Sequence, residues 1–293
     1  MTLQEFLTAY TDTFIIPRRR PSTVACYRRA WAALPPALLA ADLAALDGMT
    51  IQAAINAQGA AHPRAAQLTH SCLRAALKRA VLLGYLPRSP MQGVERPEHQ
   101  PAVAAVLSAA QLAAYLEAAR AMPTWPLLMI ISTMGLRRGE ALGLTWAAVD
   151  LGAGVLHVTQ QRQRIGHALR AVPVKSRAAA RVLPLPPPVA AELRQLRADR
   201  RVVSLSGWVC DTNPDTLRKH HQRVLERAGL PAVTLHGLRH SVATLAAAQG
   251  CPIKLLQGIL GHARYQLTAD LYAAHLGAEA YAPHLSRLVS SVW

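Results

Sequence analysis

Apolar residues recur at helical spacing from the first residues of the chain. Leu3, Phe6, Leu7 and Tyr10 share one face. Val24, Tyr27, Trp31 and Leu34 do so after the start signal "RPST", Ile51 and Ile55 after Thr50, and Leu68, Cys72, Ala75 and Val81 in a fourth segment. The run "GYLPRSPMQGVERPEHQPA", 84–102, then brings four prolines, which stop helices and stiffen a linker. The pattern predicts a small four-helix domain over 1–87, a linker over 88–107 and a second domain over 108–293.

The second domain opens on "SAAQ", Ser108 with Gln111 three residues on, the layout of a capping box. Leu112, Tyr115 and Leu116 form the apolar face behind it. Further helices are predicted over 125–134 and 138–146. The period then falls to two. "GVLHVTQQ" (154–161), "ALRAVPV" (168–174) and "ARVLPLP" (180–186) read as short strands, with Gly166 in the first turn and "KSRAA" (175–179) in the second. Helices resume at 187. The fold class is therefore mainly α with a small antiparallel β-sheet.

Composition adds a partner. Lys and Arg number 32 against 16 acidic residues, a net charge of +16, and a surface this basic attracts a polyanion, most often nucleic acid. Arg18, Arg19, Arg20, Arg28, Arg29, Arg74, Lys78 and Arg79 are the candidate contacts of the first domain to a polyanion backbone, set against the plainer reading of a solvated face. The four cysteines are far apart and form no CxxC pair, so neither a zinc site nor a disulfide framework is expected. The start lacks the basic-then-apolar layout of a signal peptide, and "WPLLMIISTMGL" (125–136) is too short to span a bilayer. No membrane role is expected, and a reducing cytosol fits.

Charges in apolar surroundings mark the candidate chemistry. "LHGLRHSVATLAA" (235–247) sets His236, Arg239 and His240 at the start of a core-like helix, and an unpaired buried Arg is costly. "GLRRGEALGL" (135–144) puts Arg137 and Arg138 directly after a buried helix, with Glu140 close by. Lys175 sits at a strand turn, His262 ends "LGH", and Tyr272 lies in "ADLYAAH". Each alone has a plain structural explanation. Together, two arginine forks match phosphate oxygens, a lysine and histidines move protons, and a tyrosine hydroxyl can be a nucleophile. No carboxylate cluster or Gly-rich phosphate loop accompanies them, so metal-dependent nucleases and nucleoside triphosphatases fit poorly. Metal-free attack of a hydroxyl on a phosphodiester remains, with no cofactor and no metal.

The ordered set Arg137, Lys175, His236, Arg239, His262 and Tyr272 resembles the active-site set of the tyrosine recombinases of the phage-integrase family. "RPSTVACYRRAW" (20–31) and "LRAALKRAVLLGYLPRSP" (73–90) are similar to that family's helical, SAM-like core-binding domain. Two departures stand out. Met134 occupies a position where many members have Thr, and Tyr265 is a second tyrosine, too close to His262 for the family spacing. Many members carry a small arm-binding domain ahead of the first core-binding helix, and none is visible in these residues.

The resemblance implies two domains clamping duplex DNA. Arg137 and Arg239 hold the scissile phosphate, Tyr272 attacks to give a 3′-phosphotyrosine, and Lys175 protonates the leaving 5′ oxygen. His236 assists proton transfer and His262 hydrogen-bonds the phosphate. Glu140 orients an arginine, and His240 bonds within the fold. The implied partners are double-stranded attachment sites, a homotetramer on DNA joined by a docking tail (about 276–293), and accessory DNA-bending or directionality proteins. A mobile-element integrase is the first reading. The alternatives are an Xer-type resolvase and a non-catalytic DNA-binding protein on the same fold.

Overall fold

The computed structural model describes residues 1–98, 105–166, 168–174, 176–199 and 207–262. The chain divides into two compact units, Met1–Ala102 and Val103–Trp293.

The first unit is helical: α1 (Leu3–Tyr10), α2 (Pro21–Ala32), α3 (Pro36–Ala40), α4 (Gly48–Ala61) and α5 (Pro63–Leu82). The capping of α1 follows from its sequence, since Thr2 Oγ1 accepts from the Glu5 N–H and Glu5 Oε2 accepts from the Thr2 N–H. A short π-helix, Thr11–Ile15, continues it, and Trp31 Nε1 donates to Thr11 Oγ1 at 2.9 Å to bring α2 alongside. α3 is a short helix that periodicity alone passes over.

The longest helix is as expected and its face partly so, with Cys72 buried and Val81 packed on the core. Leu68 and Ala75 are exposed, and the core is met by Ala66, His70, Leu73, Ala76, Leu77 and Ala80. In an alanine-rich helix the small residues let neighbours pack closely on a side that hydropathy does not distinguish. Residues 88–98 fold back onto this unit. Met91 and Val94 are in its core, and His70 Nε2 is 3.2 Å from the Val94 carbonyl.

The second unit is built around α7 (Trp125–Met134), with α6 (Ala109–Ala119) before it and α8 (Arg138–Leu142) after it. Nine of the ten α7 residues are buried, Met134 among them, which is the pattern of a central helix. The Ser108–Gln111 capping box at α6 forms as expected. Helix α8 stops at Gly143, short of the expected 146, because it lies directly on a strand. A Cβ at Gly143 would stand 2.7 Å from Gln161 Cα.

The predicted first strand is two. The strands β1 (Val149–Asp150), β2 (Val155–Val158) and β5 (Arg181–Pro184) make one antiparallel sheet in the order β1-β2-β5. The others, β3 (Gln160–Ile165) and β4 (Ala168–Pro173), make a separate hairpin. The chain changes sheets at Thr159, so Val155–Val158 pairs with a strand beyond the hairpin instead of with its neighbour. The polar run Gln160–Arg164 forms a full strand without any apolar signal.

Helices α9 (Pro187–Ala198), α10 (Pro214–Arg227), α11 (Leu235–Ala248) and α12 (Ile253–Leu260) complete the described residues. The entry to this unit is stitched to α11. The Leu107 N–H donates to Ser241 Oγ at 2.8 Å, Leu107 is buried, and a Cβ on Gly237 would meet the Ala105 carbonyl at 3.0 Å. Among the described residues no helix is long and apolar enough to cross a membrane.

Candidate active site

Two left-handed glycines frame the site. Gly135 (φ 66°) ends α7 and Gly261 (φ 63°) ends α12, the backbone region glycine enters without strain. Arg137 follows Gly135 as the N-cap of α8. Glu140 reaches back, accepting from the Arg137 backbone N–H at 3.0 Å and from Arg137 Nη1 at 2.7 Å. Arg137 Nη2 donates to the Gly261 carbonyl at 2.8 Å, and the Arg137 side chain remains about one-third exposed (34%).

Arg239 answers the question its sequence raises. It is 2% exposed and stands among the largest fully buried side chains of the described residues. Its Nη1 donates to the Gly135 carbonyl at 2.7 Å and its Nη2 to the Leu260 carbonyl at 2.6 Å. Both acceptors lie at helix C-termini, where carbonyls lack intrahelical partners and the dipole favours a cation. Burial, followed by the charge of Arg137, pushes the Arg239 pKa down to about 9, which leaves it charged at neutral pH. Neither arginine uses all its N–H groups on protein, so each retains donors for an anion.

Glu140 is 3% exposed and lies between two arginines. Burial opposes its ionisation, but the hydrogen bond and charge of Arg181 and the hydrogen bonds from Arg137 outweigh it and hold the carboxyl below its ordinary value. Arg181, at the head of β5, donates Nη2 to Glu140 Oε2 at 3.0 Å. The sequence reading missed this residue. The signal was present, because in a strand of period two Arg181 shares the inward face with buried Leu183.

His236 opens α11 beside the arginines. Its ring lies 4.5 Å, edge to face, from that of His240. Burial and then the charges of Arg239 and Arg137 lower the His236 pKa. The same causes, led by burial and joined by His236 and His240, push His262 down to about 4. Both rings are therefore mostly neutral at pH 7. A cavity of about 540 Å³ opens beside Arg137 and His236, flanked by Arg138, Arg218 and Thr234. Behind it, Tyr115 Oη donates to His221 Nδ1 at 2.9 Å, and His221 Nε2 donates to the Val233 carbonyl at 2.8 Å.

The shift of His262 carries a stability consequence. The unfolded chain takes up that proton near pH 6.5 and the folded chain only near pH 4, so stability is full above pH 6.5 and drains as pH falls to 4. The thermal midpoint is expected to decline across that window, and His262→Gln to reduce the decline. Melts followed by circular dichroism check this, and an unchanged slope in the variant would place the titration elsewhere.

The structure thus brings together Arg137, Glu140, Arg239, His236 and His262, with His240 against His236. Lys175, Tyr265, Tyr272 and the tail over 276–293 lie outside the described residues. The basic candidates belong to the first unit. Arg18, Arg19, Arg28, Arg29, Arg74 and Lys78 are exposed on it, Arg20 is half-buried, and Arg79 stacks over the Phe14 ring at 4.9 Å.

Comparison with known proteins covers the segment that carries these residues. The phage integrase family matches residues 105–279. A tyrosine recombinase XerC-like protein of Caldanaerobacter subterraneus subsp. tengcongensis is 27% identical over 173 residues, covering 50% of this chain and 44% of that one. The chain spans about half the length of the curated relatives it matches, 44% and 59% in two of them. Among solved structures, the integrase of the Tn1549 transposon, in complex with a circular intermediate DNA, superposes with a TM-score of 0.83. It covers 98% of this chain and 99% of that one at 18% identity. A lambda integrase tetramer bound to a Holliday junction superposes at 0.67, covering 90% and 78% at 19% identity.

Proposed function

The chain belongs to the phage integrase family, and from that premise we propose that it is a site-specific tyrosine recombinase, cutting and rejoining DNA through a 3′-phosphotyrosine. The observation that carries this is the pair Arg137 and Arg239, seated on the C-terminal carbonyls of α7 and α12 with N–H groups to spare, next to two mostly neutral imidazoles. A phosphodiester held by both forks has its non-bridging oxygens paired. The charge that builds on them at pentacoordinate phosphorus meets donors already in place.

Tyr272 attacks phosphorus. Its proton passes towards His236, whose ring is mostly neutral, and the 5′ oxygen leaves with a proton from Lys175. His262 hydrogen-bonds the phosphate. One ester replaces another, so bond energy is conserved in the phosphotyrosine, and a different 5′-hydroxyl reverses the step to join new strands.

The wider reading follows the resemblance. Double-stranded attachment sites are the substrate, a homotetramer is the working assembly, and the tail over 276–293 docks on a neighbouring protomer. The basic residues of the first unit hold the DNA backbone. Integration or excision of a mobile element is the favoured role, with an Xer-type resolution reaction as the second reading. The latter is supported by the XerC-like relative.

The test is a nicked suicide duplex that loses its 5′-hydroxyl after cleavage. A covalent protein–DNA adduct, stable to denaturant and unaffected by chelator, is the expected product. Binding without any adduct would leave a non-catalytic DNA-binding protein.

A further inference from the structure

The last turn of α12 offers three consecutive carbonyls to three different guanidinium groups. The Ile259 carbonyl accepts from Arg181 Nε at 2.7 Å, Leu260 from Arg239 Nη2 at 2.6 Å, and Gly261 from Arg137 Nη2 at 2.8 Å. These are the carbonyls a helix end leaves unpaired, at the negative end of its dipole. Arg137 and Arg239 have the phosphate to hold. Arg181 differs from them in that all three of its guanidinium nitrogens, Nε included, donate to protein. Nη1 donates to the Ala179 carbonyl at 2.9 Å and Nη2 to Glu140 Oε2 at 3.0 Å, and the side chain is 7% exposed.

We propose that Arg181 is a positioning residue of the recombinase site, clamping the end of α12, and with it His262, to Glu140 and so to Arg137. The proposal rests on the recombinase reading for its consequence and on the geometry alone for its mechanism. Gly261 turns the chain into His262, and a Cβ there would meet Arg181 Nη1 at 2.9 Å and the Ala178 carbonyl at 3.1 Å. The arginine therefore packs directly under the turn that delivers the histidine. One planar fork spans three acceptors on two elements and its own loop. A lysine ammonium is a point donor and cannot reach all three. Without Arg181, Glu140 keeps only Arg137, and the carboxylate that fixes that fork loses its second anchor.

The experiment uses Arg181→Lys and Arg181→Met in the full chain. Two quantities are read: cleavage of a suicide duplex at saturating protein, and the imidazole titration of His262 by NMR without DNA. Cleavage is expected to fall about tenfold or more while affinity for DNA stays within about twofold, the pattern of misplaced groups in an otherwise folded site. His262 is expected to titrate closer to its ordinary value as its ring gains solvent. Cleavage within about twofold of the parent, or an unmoved His262, would overturn the proposal. So would an equal loss of binding and cleavage, or failure of the lysine variant to fold, since either makes Arg181 a residue of folding only. If the parent chain itself forms no adduct, the recombinase reading fails, and the His262 titration still decides the clamp.

Discussion

Tyr272→Phe is expected to abolish cleavage and leave DNA binding close to that of the parent. In the proposed mechanism the hydroxyl is the attacking group and the phenyl ring is retained, so the loss falls on chemistry. No lesser group can substitute, because a phenyl ring has no nucleophile. Quantification of adduct on a suicide duplex, beside a gel-shift titration, measures both halves. An adduct formed by the Phe variant would transfer the role to Tyr265, which follows His262 by three residues. Tyr265→Phe would then be the variant that loses it.

The second large effect belongs to the arginines. Arg137→Ala is expected to lower the cleavage rate about a hundredfold or more, the scale of losing a preorganised donor to developing charge. Its side chain is 34% exposed, so the fold should tolerate the loss. Arg239→Ala should be at least as damaging and should also lower the thermal midpoint. It strips donors from the buried Gly135 and Leu260 carbonyls, and unsatisfied buried acceptors are destabilising. Arg239→Lys should not rescue, because a single ammonium cannot span both carbonyls and still face a phosphate. Single-turnover cleavage and melts on the same preparations separate the two effects. Cleavage by Arg137→Ala within about tenfold of the parent would remove that residue from phosphate binding.

The contrast between legible and illegible features has a physical basis. Capping boxes are local, and Ser108 with Gln111 announces the start of α6 within four residues. The buried α7 is legible because its apolar residues run all round. The face of α5 is only partly so, because alanine at a contact and alanine in water look alike. The sheet change at Thr159 is a pairing between distant strands, and Gln160–Arg164 carries no apolar alternation to signal it. At the site, charge in an apolar run reveals Arg239 and His236, since such a group needs partners. The partners of Arg239 are the backbone carbonyls of Gly135 and Leu260, which every residue possesses and no letter encodes. Arg181 carries the period-two signal of an inward-facing residue, but two of its three acceptors are backbone and leave no mark in the sequence.

The stitch between Leu107 and Ser241 joins positions 134 residues apart. Such a contact forms only after most of the intervening chain exists, and distant closures are the slow ones in folding. On the ribosome the first unit can complete its own core while the second is still emerging. The segment entering the second unit must then wait, unanchored, until α11 has been made. The helix that locks it is the one that carries His236 and Arg239. Completion of that closure and placement of the two charged groups are thus one late event, and a chain interrupted before residue 241 lacks both.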